Sequence, residues 1–270
     1  MPRQPLKLVK PPPVDLATLR LPFSVLVANR KGGCAKSTLT VHAAWAAQEA
    51  GLRVLVLCAD TLGDSFKRLG APYASLDDCA PYEWASGCWV SFTPDAYAYP
   101  EPAKLAAYDI IIVDTPGSGK GLPDGPPVAE VIVPITDRGA AEAAVETLAD
   151  VQAMVPLPSV IVVPVNKGCA PADDFRANVL AIRKHLPAMA TIYGTTIPYS
   201  HGVWRTDSTH RPAWLDEQYG AECAALHTLS KNIAFRARRW CETQDLMMRR
   251  QAIIDAAYGD TTTARKQHAG

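Results

Sequence analysis

From Phe23 onward, short β-rich apolar runs alternate with longer stretches in which apolar and polar positions mix. The runs fall at Phe23–Ala28, Val54–Leu57, Ile110–Val113, Val128–Pro134 and Val160–Val165, with a weaker one at Thr191–Ile197. They are continuous rather than alternating, so each needs cover on both faces, as strands of a mostly parallel sheet flanked by helices have. Ser37–Ala50, Gly139–Met154 and Asp173–His185 carry helix-like patterns between the runs. The alternation predicts an α/β fold with a doubly wound, mostly parallel sheet. The segment Gly70–Pro100 breaks the pattern with Trp84, Trp89 and several prolines, and only a short strand at Trp89–Phe92 is read there.

The two ends look different from the middle. Residues 1–20 hold Pro2, Pro5 and the run Pro11-Pro12-Pro13 without apolar periodicity, which predicts an extended arm. From about Ala221 the pattern predicts one long helix, with Leu226, Ile233, Trp240, Met247 and Ile254 recurring every seven residues. Arg236, Arg239, Arg249 and Arg250 lie near that stripe. Such a stripe either packs on the domain or docks a partner or an anionic surface. Gly259–Gly270 reads as a polar tail. The expected division is therefore an arm over 1–20, one α/β domain over 21–240, and a helix end with its tail over 241–270.

Composition narrows the function classes. The 270 residues balance 27 basic against 27 acidic side chains, so a general polyanion-binding surface is not implied and any such site must be a local patch. No apolar run reaches the roughly 18–20 residues of a membrane span, and the first residues lack a secretory apolar stretch, so a cytoplasmic location is expected. Seven cysteines form no C-x-x-C pair, which argues for structural or incidental roles rather than zinc or iron–sulfur ligation.

The chemistry concentrates after the first run. Phe23–Ala28 leads through Asn29-Arg30-Lys31-Gly32-Gly33-Cys34-Ala35-Lys36-Ser37-Thr38 into a helix. Gly32 and Gly33 let the backbone bend until its N–H groups point inward at phosphate oxygens. The helix N-terminus adds its dipole to the same target. Lys36 reaches the β- and γ-phosphates, and the Ser37 hydroxyl is placed to ligate Mg²⁺. Gly32, Gly33, Cys34, Ala35, Lys36, Ser37 and Thr38 are thus the expected nucleotide-binding set.

This loop departs from the usual phosphate loop in two ways. Ala35 stands where a glycine normally precedes the lysine, and an additional lysine, Lys31, precedes the glycines. In both respects it resembles the deviant Walker A ATPases, whose loop reads K-G-G-x-x-K-[ST] and which include ParA partition ATPases, MinD-like positioning ATPases and the nitrogenase iron protein. The resemblance covers roughly residues 22–240. It implies ATP and Mg²⁺ as cofactors and a homodimer closed around two ATP molecules, with Lys31 reaching the phosphates of the opposite subunit. Val54–Asp60 resembles the strand whose final acidic residue helps position the attacking water, which nominates Asp60; Thr61-Leu62 replace the family's Pro-Gln. Tyr108–Gly117 resembles the Walker B strand and second switch, with Asp114 binding Mg²⁺ directly or through water. Val163–Asn166 resembles the strand end whose asparagine contacts adenine, so Asn166 is the expected base contact. The implied catalytic residues are Lys31, Lys36 and Asp60.

Within that family the cysteines decide against two members. Cys169, Cys223 and Cys241 do not match the cluster ligands of the iron protein, and scaffold relatives with a C-x-x-C pair are excluded. Cobyrinate amide synthases lack the Lys31 signature. The chain is most similar to small ParA-type proteins, which implies non-specific DNA binding by the ATP dimer, release on hydrolysis, a ParB-like activating partner, and a nucleoid-associated location. The basic candidates for DNA are Arg205, Arg211, Lys231, Arg236, Arg238 and Arg239, while Tyr199 and Gly202 stand where many ParA proteins carry arginine. Two alternatives stay open. One is a MinD-like membrane-associated ATPase that uses the C-terminal helix. The other is an ATP-binding scaffold with little hydrolysis, which Thr61-Leu62 permits.

Overall fold

The structure, a computed structural model, describes residues 20–72, 81–94, 102–117, 128–166, 177, 179–180, 182–186, 190–198, 209–216 and 223–258. The proline-rich arm, the polar tail, Arg205 and residues 173–176, 178 and 181 of the expected Asp173–His185 helix lie outside the described residues. The strands are β1 (Phe23–Val27), β2 (Val54–Cys58), β3 (Tyr82–Ala85), β4 (Cys88–Phe92), β5 (Ile110–Asp114), β6 (Glu130–Ile135), β7 (Ser159–Pro164) and β8 (Ala190–Ile192). The helices are α1 (Lys36–Glu49), α2 (Asp64–Arg68), α3 (Pro102–Leu105), α4 (Arg138–Gln152) and α5 (Ala224–Tyr258).

The strands form one sheet in the order β3-β4-β2-β5-β1-β6-β7-β8, parallel throughout except where β3 turns back on β4. The apolar runs become the central strands because both of their faces are covered. Val25, Val27, Val54, Val56, Ile110 and Ile112 face one core with α1 and α5, whereas Leu26, Leu55, Leu57, Ile111 and Val113 face the other with α4. Helix α1 is buried along nearly its whole length between the sheet and α5, so it is built from Ala, Val and Thr rather than from an amphipathic pattern. Helix α4 shows the ordinary one-sided pattern, burying Ala140, Ala141, Ala144, Leu148 and Val151. Beyond β8, the weak run ends in a single bridge between Ile197 and Val165 rather than a continuous strand.

The long C-terminal helix is present, and its stripe divides in two. Leu226 and Ile233 are buried, and Trp240 packs on Phe23 while its indole N–H donates to the Leu21 carbonyl at 2.9 Å. Asp245 still pairs with Arg20 at 3.2 Å, but beyond it Leu246 and Met247 are 65% and 61% exposed. The Arg236 side chain turns inward, its Nε 2.7 Å from the carboxylate of Glu130, which is 2% exposed in β6. Burial pushes the Glu130 carboxyl up, and the Arg236 guanidinium opposes that shift.

Candidate functional site

A cleft of about 400 Å³ opens where the chain leaves the carboxyl ends of β1, β2 and β5. Its walls are residues 32–38 of the glycine-rich loop, Asp60, Thr61 and Leu62 after β2, Asp64 and Arg68 of α2, and Pro116 and Gly117 after β5. Ligands of open α/β sheets bind at this end of the strands. The structure therefore brings Lys36, Ser37, Thr38 and Asp60 into one site, with Asp114 buried beneath it at the end of β5.

The loop's conformation accounts for Gly33 and exposes one departure. Gly33 has φ 67°, and Ala35, which caps α1, has φ 75°. The left-handed region costs an L-residue about 1 kcal/mol, which is why a glycine usually precedes this lysine. Lys36 is 5% exposed, and its Nζ donates to the Lys31 carbonyl at 3.0 Å across the loop. The Cys34 thiol donates to the same carbonyl at 3.1 Å, so this buried cysteine helps close the loop. Gly117 presses on the loop from the β5 side. A Cβ there would stand 2.8 Å from the Gly32 Cα and 2.9 Å from its nitrogen. Because both contacts are backbone, Gly117→Ala is expected to destabilise the protein by about 1–3 kcal/mol, read by denaturant unfolding. Unchanged stability would show that this contact is dispensable.

Asp114 is fully buried, and neither carboxylate oxygen has a hydrogen-bond partner among the described residues. Burial pushes its pKa up to about 6, although the Ser37 and Ser65 hydroxyls and the Lys36 ammonium pull it down and Asp60 adds to the rise. An orphaned buried carboxylate beside a serine hydroxyl is the donor set of a hard divalent cation, so the residues present fit Mg²⁺. The Asp60 carboxylate accepts from the Leu62 N–H at 3.0 Å, so part of its acceptor capacity shapes the loop that follows it.

Lys31 sits beside the cleft, tied to its own chain. Its Nζ is 2.5 Å from Asp137, which also caps α4 by accepting from the Ala140 N–H at 2.9 Å. Burial works against the charged form of Asp137, but the Lys31 ammonium, the Ala140 N–H and the Thr136 hydroxyl outweigh it and hold the carboxyl below its usual range. Asn29, buried at the end of β1, accepts from the Lys31 N–H at 2.9 Å and donates to the Pro134 and Ala140 carbonyls at 2.8 and 3.0 Å. Arg30 reaches Asp150 at 2.7 Å and Glu146 at 3.1 Å on α4. The loop before the glycines is thus anchored on α4 through three successive residues.

The remaining expected residues lie apart. Asn166 is half-buried at the end of β7, its N–H donating to the Ile197 carbonyl at 2.8 Å, and it is not in the cleft wall. Arg211 and Lys231 are exposed. Arg236 is committed to Glu130, Arg238 donates to the Ala50 carbonyl, and Arg239 lies 3.4 Å from Glu242. No side-chain cluster able to hold a metal among three or more His, Cys, Asp or Glu occurs among the described residues, and no described helix is long and apolar enough to cross a membrane.

Asp137 and Arg68 were missed by sequence reading. Asp137 carried a usable signal, an aspartate just ahead of a helical pattern, which marks an N-cap. Arg68 carried none, because it reaches the site only through the short helix α2.

The model of the CobQ/CobB/MinD/ParA nucleotide-binding domain matches residues 25–213. No curated protein matches the chain by sequence. Among solved structures, apo McdA of Cyanothece is 15% identical with a TM-score of 0.59, covering 80% of this chain and 98% of its own. A putative plasmid partition protein of Borrelia burgdorferi bound to AMPPNP is 15% identical with a TM-score of 0.52, covering 76% and 96%. Cobyrinic acid a,c-diamide synthase of Mycobacterium smegmatis, with an ATP analogue and magnesium, is 22% identical with a TM-score of 0.50, covering 70% and 93%. These likenesses establish the fold, a mostly parallel sheet flanked by helices.

Proposed function

Because the chain belongs to the CobQ/CobB/MinD/ParA nucleotide-binding domain family, we propose that it is an ATPase of the ParA type that dimerises around ATP and binds DNA without sequence preference in that state. The observation that carries the reading is the convergence of Lys36, Ser37 and Asp60 on one cleft above the orphaned carboxylate of Asp114. Lys36 and the loop N–H groups hold the phosphates, Ser37 and Asp114 hold the magnesium ion, and Asp60 orients a water. A Mg²⁺ ion held there would neutralise phosphate charge. Lys31, released from Asp137, gives its ammonium to the phosphates of the opposite subunit, as an arginine finger does. Hydrolysis is slow alone and is raised by a ParB-like partner. The protein works in the cytoplasm on the nucleoid, and Asn166 contacts the adenine.

For DNA, Arg211, Lys231, Arg238 and Arg239 are the described candidates whose side chains stand at the surface, with Arg205 outside the described residues. The test is co-sedimentation of the protein with non-specific plasmid DNA in ATP, ADP or no nucleotide. Pelleting in ATP alone that weakens with salt supports the reading, and no pelleting in any state overturns it. A MinD-like reading has one observation in its favour, the exposed Leu246 and Met247 beyond the domain with Arg249 and Arg250 beside them. ATP-dependent binding to anionic liposomes without DNA binding would select it.

A further inference from the structure

We propose that Arg68 is a phosphate-binding residue of the nucleotide site, supplied by the same chain that supplies the loop. The inference rests on the phosphate-loop reading above and adds a second cation to it. Arg68 ends α2 and forms part of the cleft wall together with Lys36, Ser37 and Thr38. It is 8% exposed, and its Nη1 donates to the Thr38 hydroxyl at 2.8 Å. Thr38 lies on the first turn of α1, where backbone N–H groups face a bound phosphate. A guanidinium carries five donors in a planar fork, so one edge can hold the Thr38 hydroxyl while the group also meets a phosphate oxygen. Burying that charge beside an anion-binding loop lowers the local dielectric in which it acts and strengthens the contact.

The arginine and Thr38 are braced as a pair by one segment. His210 sits with its Nδ1 3.2 Å from the Arg68 carbonyl, and it holds φ 51°, a left-handed conformation that a non-glycine residue keeps only when its surroundings enforce it. Three residues on, the Ala213 N–H donates to His42 Nε2 at 3.2 Å, and His42 Nδ1 donates to the Thr38 carbonyl at 2.8 Å. The segment over 209–216 therefore fixes α2 on one side and Thr38 on the other. Asp60 joins the same unit, because its carbonyl accepts from the N–H of Gly63, the residue that caps α2, at 2.9 Å. A phosphate drawn to Arg68 thus sets the position of the loop that carries Asp60.

The test is equilibrium titration of the full chain with fluorescent ATP and ADP analogues. Arg68→Gln is expected to weaken both about tenfold, the loss of one charge-assisted contact, and to make affinity less dependent on salt. Arg68→Lys is expected to recover most of that loss, which a purely structural role would not require. If Arg68→Gln does not fold, Arg68→Met keeps the aliphatic stem and carries the same comparison. Parent-like affinity and salt dependence in either variant, with Lys36→Ala having lost binding, would overturn the proposal and leave the phosphate-loop reading intact. Parent-like affinity in Lys36→Ala as well would overturn both.

Discussion

Lys36→Ala is expected to remove ATP binding, with affinity falling at least about a hundredfold in a calorimetric titration. The side chain is almost wholly buried and its Nζ lies across the loop against the Lys31 carbonyl, so its charge is already held at the centre of the loop. A buried ammonium whose neighbours are the Lys31 carbonyl, the Cys34 sulfur and the Asp114 carboxylate below gains further when a polyphosphate supplies additional opposite charge. No other side chain can replace it, because Lys31 is drawn outward to Asp137 and Arg68 stands at the wall formed by α2. Undiminished affinity in a folded Lys36→Ala protein would remove the phosphate-loop assignment.

Lys31→Ala is expected to separate binding from association. The variant should bind ATP within about threefold of the parent, since the Lys31 ammonium points at Asp137 rather than into the cleft. It should fail to form the ATP-dependent dimer if Lys31 supplies the proposed trans contact to the opposite phosphates. Stability does not confound the result. The Lys31 and Asp137 side chains are 37% and 43% exposed, and an ion pair that open to solvent is worth at most about 1 kcal/mol. Asp137 also keeps its capping bond from Ala140 when Lys31 is removed. A variant that still doubles its mass in ATP would take the trans role away from Lys31.

How much of this was legible in the sequence depends on how local each cause is. Phe23–Ala28, Val54–Leu57 and Ile110–Val113 announced β1, β2 and β5 because strands covered on both faces admit almost nothing but apolar residues. The position of the loop between β1 and α1 was legible because Gly32, Gly33 and the Lys36-Ser37 pair break the apolar pattern there, although the left-handed Ala35 was not expected from the residue type. The element β3 was not legible. It is a four-residue edge strand whose side chains are half-buried or exposed, so no pattern marks it, although its partner β4 was found through Trp89–Phe92. Helix α2 escaped for want of length, five residues being too few for a period to show.

The seven-residue stripe of the last helix was real and misleading at once. Its spacing is the same along the helix, yet the domain that covers Leu226 and Ile233 ends before Met247, and periodicity carries no information about where a partner surface stops. Arg236 teaches the same lesson in charge. It reads as one more surface cation until Glu130, an acid within an apolar strand run, is found buried opposite it. Expecting a partner for that glutamate would have found the pair, because a buried carboxylate without one is costly. The links from Lys31 to Asp137 and from Arg68 to Thr38 span 106 and 30 residues, and only the fold brings them together.

Nucleotide-gated association is the centre of this account, and the mass of the protein in solution tests it most directly. Light scattering of the full chain with Mg²⁺ and ATP, ADP or no nucleotide is expected to give twice the monomer mass of 29.0 kDa in ATP alone. The same mass under all three conditions, single or double, would contradict it.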